Sequence, residues 1–83
     1  MKVRLVPVNL NDVIRVRGEF VSRDDFEDVF ENYEDIYKFF FDSEILGAII
    51  DHANRRAYIV TVSPASAFES QITTLTVWTF EIE

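Results

Sequence analysis

The sequence contains no cysteine, two glycines, two prolines and one histidine in 83 residues. Without cysteine the chain can form no disulfide, no zinc-thiolate or iron–sulfur site, and no thiol nucleophile. The longest apolar run, residues 45–50, is far shorter than the ~20 residues of a membrane-spanning helix. Lys2 and Arg4 interrupt the region where a signal peptide would place its apolar core. We therefore expect one soluble, cytoplasmic domain spanning residues 1–83.

The scarcity of histidine and glycine also argues against catalysis. His52 falls in a predicted hairpin turn, which supplies neither a cleft nor an orienting partner for a general base. None of the five serines lies in a Gly-x-Ser-x-Gly elbow, and Gly18 and Gly47 cannot form a phosphate-binding loop. The acidic residues lack the glycine-containing loop of a calcium site. We expect no enzymatic activity, no cofactor and no metal site.

Most of the net charge of −7 lies in one segment. Residues 23–42 contain eight acids and two bases, which gives them a charge of −6, whereas all other residues together carry −1. Such a concentration of one sign predicts a strongly negative surface on a single element.

The same acidic segment has the apolar periodicity of a helix. Ser22 followed by Asp25 resembles a capping box, and a helix beginning there is predicted to extend to about Asp42. At ~100° per residue an apolar stripe forms on one face. Its members are Phe26, Val29, Phe30, Tyr33, Ile36, Tyr37, Phe40 and Phe41. Phe39 falls outside this stripe, among the charged residues.

Five segments have the composition of β-strands: residues 2–8, 12–21, 45–51, 56–63 and 71–83. We expect the first two to be neighbours joined by a turn at residues 9–12, and Pro7 places the first at a sheet edge or puts a bulge there. The third and fourth form a hairpin with Asn54 in the left-handed conformation at its tip. A phase change near residues 77–78 predicts a bulge or burial on both faces. The predicted fold is α+β, in the order ββαβββ, with one long amphipathic helix packed on a mostly antiparallel sheet.

The exposed side of the predicted helix carries the candidate binding residues. They are Asp24, Glu27, Asp28, Glu31, Glu34, Asp35 and Phe39. Duplex DNA carries one charge per ~1.7 Å, so a row of carboxylates can occupy a basic groove that binds nucleic acid. We therefore predict a protein-binding domain that docks on a basic surface, in one form as a DNA-mimicking inhibitor of the kind encoded by phages against host defence. A helix face that is merely solvated is the alternative for these residues.

Two other functions are open from the sequence. A threonine- and valine-rich terminal strand, residues 72–82, could pair edge to edge with a second copy, which would make the protein a homodimer or a small structural protein. Lys2, Arg4, Arg15 and Arg17 could form a basic stripe on two neighbouring strands. We do not expect that stripe to bind nucleic acid directly, because no aromatic residues flank it and the chain is acidic. Cross-strand charge pairing is its alternative role.

Overall fold

The computed structural model describes residues 1–6, 17–40, 43–63 and 74–83. The elements in chain order are strand β1 (Val3–Leu5), strand β2 (Glu19–Ser22), a 3₁₀ turn (Arg23–Asp25), helix α1 (Phe26–Val29), helix α2 (Tyr33–Phe39), and strands β3 (Glu44–Asp51), β4 (Arg56–Ser63) and β5 (Thr74–Ile82). In this described part of the chain, no helix is long and apolar enough to cross a membrane.

The strands form one five-stranded antiparallel sheet in the order β1-β5-β4-β3-β2. The predicted hairpin of β3 and β4 and the edge position of β1 are confirmed. The prediction that the first two strands are neighbours is wrong, since β1 and β2 lie at opposite edges. Adjacency in sequence usually gives adjacency in space, but here β1 pairs with the last strand instead. The turn predicted at residues 9–12 lies outside the described residues.

Two local predictions in the sheet need correction. Arg55, and not Asn54, takes the left-handed conformation at the hairpin tip, with φ 54°. Asn54 instead holds the turn by donating from its backbone and its side chain to the carboxylate of Asp51. The pairing of β4 with β5 is continuous, so no bulge occurs near residues 77–78. Burial on both faces of β5 explains the change in its apolar pattern, because Thr79 and Phe80, which point to opposite faces, are both buried.

Both helices pack on one face of the sheet. Within the predicted apolar stripe, Phe26, Phe30, Ile36 and Phe40 are buried, which confirms the orientation of the segment. Val29 and Tyr33 are partly buried, and the prediction is wrong for Tyr37, which is exposed. The strand residues that meet them are chiefly Val21, Ala48, Ile50, Ala57, Ile59 and Phe80. The rings of Phe26 and Phe30 lie 4.5 Å apart, so this aromatic contact is part of the core beneath α1.

The prediction of a single long helix extending to about Asp42 is wrong. Helix α1 ends at Val29, and Phe30 has extended backbone angles (φ −104°, ψ 113°) before α2 begins at Tyr33. Phe30 nevertheless keeps the buried position that the helical periodicity predicted for it. The apolar pattern therefore survives a break in the helix, and the part predicted at residues 41–42 lies outside the described residues.

The start of the chain fills the break between the two helices. The amino group of Met1 donates to the Val29 carbonyl at 3.0 Å, and the Glu31 N–H donates to the Met1 carbonyl at 3.0 Å. The Asn32 side chain bonds both backbone groups of Val3, accepting from its N–H at 3.3 Å and donating to its C=O at 2.7 Å. These long-range hydrogen bonds satisfy backbone groups that a continuous helix would have paired internally.

Candidate functional site

The structure places all six predicted acids at the surface. Asp24 lies in the 3₁₀ turn, Glu27 and Asp28 in α1, Glu31 at the junction, and Glu34 and Asp35 in α2. In the described residues, Asp24, Asp28 and Asp35 make neither an ion pair nor a hydrogen bond through their carboxylates. The carboxylate of Glu31 lies 3.5 Å from the Met1 amino group. The segment thus presents several negative charges that the fold does not neutralise.

Tyr33 brings carboxylates from both helices together. Its hydroxyl donates to Glu34 at 3.5 Å. The negative charge of Glu27 and a hydrogen bond to the same carboxylate raise the pKa of the Tyr33 phenol, and Glu34 adds to the effect. The phenol therefore stays protonated and acts as a donor between two carboxylates that belong to different helices. The acidic side chains form one surface in spite of the helix break.

Three of the predicted acids surround a hollow of about 460 Å³ beside α2. Glu31, Glu34 and Asp35 line it together with Lys2, Asn32 and Tyr33. Lys2, which also lines this hollow, lies 3.7 Å from Glu83 at the end of the neighbouring strand. Glu31 has the Met1 amino group beside it, whereas Asp35 makes no ion pair with a described residue. This hollow is called the acidic hollow below.

A second, smaller hollow of about 210 Å³ adjoins the acidic one between α2 and β1. Its apolar walls are Val3, Leu5, Ile36, Phe39 and Phe80. Its polar residues are Arg4, Asn32 and Asp35. Because Asn32 and Asp35 line both hollows, the apolar groove opens directly beside the acidic hollow. Neither hollow is lined by Asp24 or Asp28, so the predicted acids divide into two groups.

Phe39 forms one wall of the apolar groove and is 53% exposed. Its ring packs edge to face against Phe40 and Trp78, with centroids 5.0 and 5.7 Å apart. Those contacts hold a large apolar side chain at the surface in a defined orientation. Phe39 is thus exposed, as its position off the apolar stripe predicted. It is the last residue of α2.

The backbone groups on the outer edge of β1, beside the apolar groove, are only partly hydrogen-bonded. Hydrogen bonds from Glu83 to Lys2 and from Val6 to Thr79 show which groups of β1 face β5. By strand alternation the backbone groups of Val3 and Leu5 point away from β5. The side chain of Asn32 is hydrogen-bonded to the N–H and C=O of Val3, whereas the N–H and C=O of Leu5 bond to no other described residue. The backbone N–H and C=O of Leu5, on the wall of the apolar groove, are therefore unpaired among the described residues.

Sequence reasoning missed Asn32 and Leu5 as members of this site. Asparagine is unfavourable inside helices because its side chain competes for backbone groups, so Asn32 could have predicted the break. Nothing in the local sequence indicates which backbone it bonds, since Val3 lies 29 residues away. The role of Leu5 depends on the pairing of β1 with β5, which the sequence did not predict.

The basic residues are arranged differently from the prediction. Arg17 precedes β2, at the opposite edge from Lys2 and Arg4, so these three described residues form no stripe on neighbouring strands; Arg15 lies outside the described residues. Arg4 pairs with Glu81 at 3.0 Å across the β1–β5 ladder. Cross-strand pairing, the alternative for these residues, is therefore observed for Lys2 and Arg4.

The described residues contain no cluster of three or more histidine, aspartate or glutamate side chains suited to a metal ion. His52 is exposed at the hairpin tip, with its Nε2 3.3 Å from a carboxylate oxygen of Glu19.

The chain matches no protein-family model, and neither the comparison with curated proteins nor that with solved structures finds a similar protein.

Proposed function

We propose that this protein is a non-enzymatic binding domain whose acidic segment docks on a basic surface of another protein. The observation that carries the proposal is the set of exposed carboxylates on residues 24–35, of which Asp24, Asp28 and Asp35 have no partner among the described residues. The exposed Phe39 at the end of the same segment adds an apolar contact. Charged surfaces of this kind favour rapid and specific association with partners of opposite charge.

Helix stability explains part of the acidity but not all of it. Pairs of acids occupy the first turns of the 3₁₀ turn, α1 and α2, where each carboxylate contributes about 0.3–1 kcal/mol by its interaction with the helix dipole. Glu31 lies between the helices and outside these turns. It belongs instead to the acidic hollow, where its charge adds to those of Glu34 and Asp35.

The finer form of the proposal is mimicry of nucleic acid. The helix break interrupts the regular row of carboxylates on which that idea rested, since α1 has four residues and α2 has seven. Acids from both helices still meet at Tyr33, so the surface remains continuous. A mimic competes with duplex DNA for its partner, whereas an acidic ligand of another basic site does not.

The test is capture from lysate with two matched triple variants. Asp28→Lys, Glu31→Lys and Asp35→Lys reverse the acidic surface, and Glu19→Lys, Glu81→Lys and Glu83→Lys reverse three exposed acids of the sheet. Each substitution adds two charges, so both triples have a net charge of −1 in place of −7. We expect one protein to be captured by the wild type and the sheet triple, released by salt, and lost with the acidic-surface triple.

Equal capture by both triple variants would contradict the proposal, because it would show that net charge and not the acidic surface controls binding. A partner that is released when duplex DNA is added would support mimicry. A partner that is unaffected by DNA would restrict the conclusion to docking on a basic protein surface. Circular dichroism of both triples checks that the fold is intact.

Self-assembly is a second candidate, with a different edge from the one predicted. Strand β5 is paired with β4 along its length and with β1 at Phe80–Ile82, so the edge predicted for pairing with a second copy is partly covered. Strand β2 pairs only with β3 among the described strands, and its Phe20 is 69% exposed. A homodimer would therefore use β2. Light scattering on the wild type and on Phe20→Lys tests it: a monomer at every concentration contradicts self-assembly.

A further inference from the structure

We infer that the groove between α2 and β1 receives one apolar side chain from an extended basic segment of the partner, while the acidic hollow beside it receives the lysine or arginine residues of that same segment. The inference rests on the proposed function and names the kind of partner that the site accepts. It assigns the apolar part of the contact to Phe39 and Leu5, and the charged part to Glu31, Glu34 and Asp35.

The size of the groove limits its occupant to one side chain. Its volume is about 210 Å³, below the ~300–1,000 Å³ of drug-sized ligand pockets. An apolar cavity of about 150 Å³ is already large enough for benzene. The walls of Val3, Ile36 and Phe80 offer no hydrogen-bonding side chains, so a leucine, methionine or phenylalanine fits the groove both in size and in polarity.

Charge complementarity determines what flanks that side chain. Both cations at the two hollows have partners within this chain, Lys2 with Glu83 and Arg4 with Glu81. Asp35 borders both hollows and makes no ion pair with a described residue. An apolar residue seated in the groove thus places its neighbours in sequence next to Asp35, whose charge is not compensated by a described residue. Lysine and arginine are the residues that such a site attracts.

The backbone of β1 favours an extended conformation for the bound segment. The outward N–H and C=O of Leu5 have no partner among the described groups and lie on the groove wall. An extended chain can pair with such groups while its alternate side chains enter a pocket. The backbone groups of Val3 are already hydrogen-bonded to Asn32, so the bound segment can form backbone hydrogen bonds only with Leu5. The binding energy therefore comes mainly from the side chains.

The experiment is an NMR titration of the ¹⁵N-labelled protein with two synthetic peptides. One consists of lysine and serine with a single central leucine, and in the other serine replaces that leucine. We expect the leucine peptide to shift the amide signals of Leu5, Ile36 and Phe39 and the indole signal of Trp78, which touches Phe39. The serine peptide should bind about tenfold more weakly and leave those signals unmoved.

Two variants identify the contacts. Phe39→Ala should weaken the leucine peptide about tenfold and Phe39→Leu should restore most of the affinity. Phe20→Ala is the matched control, because Phe20 is more exposed than Phe39 but lies on β2, at the opposite sheet edge from β1. Asp35→Asn should weaken both peptides and reduce the effect of salt, whereas Glu19→Gln, on β2 at the opposite sheet edge and outside both hollows, should change neither.

The outcomes separate this inference from the proposed function. Equal affinity for both peptides, with shifts confined to the acidic segment, would overturn the inference and leave the docking of the acidic surface intact. No shift at Leu5 or Phe39 with millimolar leucine peptide would also overturn it. The proposed function fails separately, if the two triple variants capture the same protein equally well.

Discussion

The sheet and the helical segment use their charged side chains in opposite ways. On the sheet, Arg4 pairs with Glu81 and Lys2 pairs with Glu83. On the helical segment, Asp28 and Asp35 have no partner among the described residues. The fold thus neutralises its charges where strands meet and leaves a surplus where the helices face solvent. A surplus confined to one surface favours a role in binding over a general role in solubility.

The charges of the sheet also alternate in sign from one strand to the next. Arg4, Glu81, Arg56 and Asp51 lie directly opposite one another on four adjacent strands. Residues in register share a face of the sheet, so positive and negative side chains alternate across it. Positive charge in this row therefore lies beside negative charge at every step, unlike the uninterrupted acidity of residues 24–35.

The largest expected effect contrasts the buried and exposed sides of the helical segment. Phe30 is fully buried against Phe26, so Phe30→Ala should lower the free energy of unfolding by about 3–5 kcal/mol. Phe39→Ala removes an exposed ring that packs on Trp78 and should cost about 1 kcal/mol. Urea unfolding followed by Trp78 fluorescence measures both. Similar losses for the two variants would show that Phe39 belongs to the core.

The next effect concerns the junction that joins the two regions. Asn32→Ala removes both hydrogen bonds to Val3 and should lower the free energy of unfolding by about 1–3 kcal/mol. Lys38→Ala is the control, because Lys38 is exposed on α2 and should change stability by less than about 0.5 kcal/mol. Hydrogen exchange of the Val3 amide should accelerate in the Asn32 variant only. An unchanged Val3 exchange rate would contradict the structural role of Asn32.

A smaller effect tests whether Arg4 is committed to the sheet. A double-mutant cycle of Arg4→Ala and Glu81→Ala should give a coupling energy of about 0.2–1 kcal/mol, as is usual for an exposed pair. The cycle of Arg4 with Asp35, which lines the same groove, should give no coupling. Coupling of Arg4 to Asp35 would mean that the groove carboxylate is neutralised within the chain and is not free for a partner.

The smallest effect is a pH dependence at the hairpin tip. Hydrogen bonds from the Asn54 side chain and backbone lower the pKa of Asp51 below its usual value. The stabilisation by Asp51 is complete above the unfolded-state pKa of about 3.9 and is lost as pH falls through the lower folded-state pKa. The stability advantage of the wild type over Asp51→Ala should therefore shrink below about pH 4 in acid-dependent unfolding. A constant difference would contradict this assignment.

The elements that depend on local patterns could be predicted from the sequence. The apolar run of β3 and the turn after it gave the hairpin, and the periodicity of Phe26, Phe30, Ile36 and Phe40 gave the buried side of the helical segment. Phe39 and the acids were placed at the surface for the same reason. These predictions needed only the spacing of apolar and polar residues along one element.

The features that depend on long-range pairing could not be predicted in this way. The break between α1 and α2 is bridged by hydrogen bonds to Met1 and Val3, which lie 28 and 29 residues from their partners in the sequence. The groove exists because β1 pairs with β5 and thereby lies beside α2. Phe30 illustrates the limit most clearly, since its burial follows the helical pattern while its backbone is extended. A periodic pattern specifies which side is buried and not whether the helix is continuous.

The most direct test of the contrast between the two regions is carboxylate footprinting of the complex with the captured partner. Carbodiimide labelling followed by mass spectrometry compares each exposed acid in the free and bound protein. The proposal predicts that labelling of Asp28, Glu31 and Asp35 falls on binding, while that of Glu19 and Glu81 on the sheet is unchanged. Protection of the sheet carboxylates, with the acidic segment still fully labelled, would contradict the assignment of the binding surface to the helical segment.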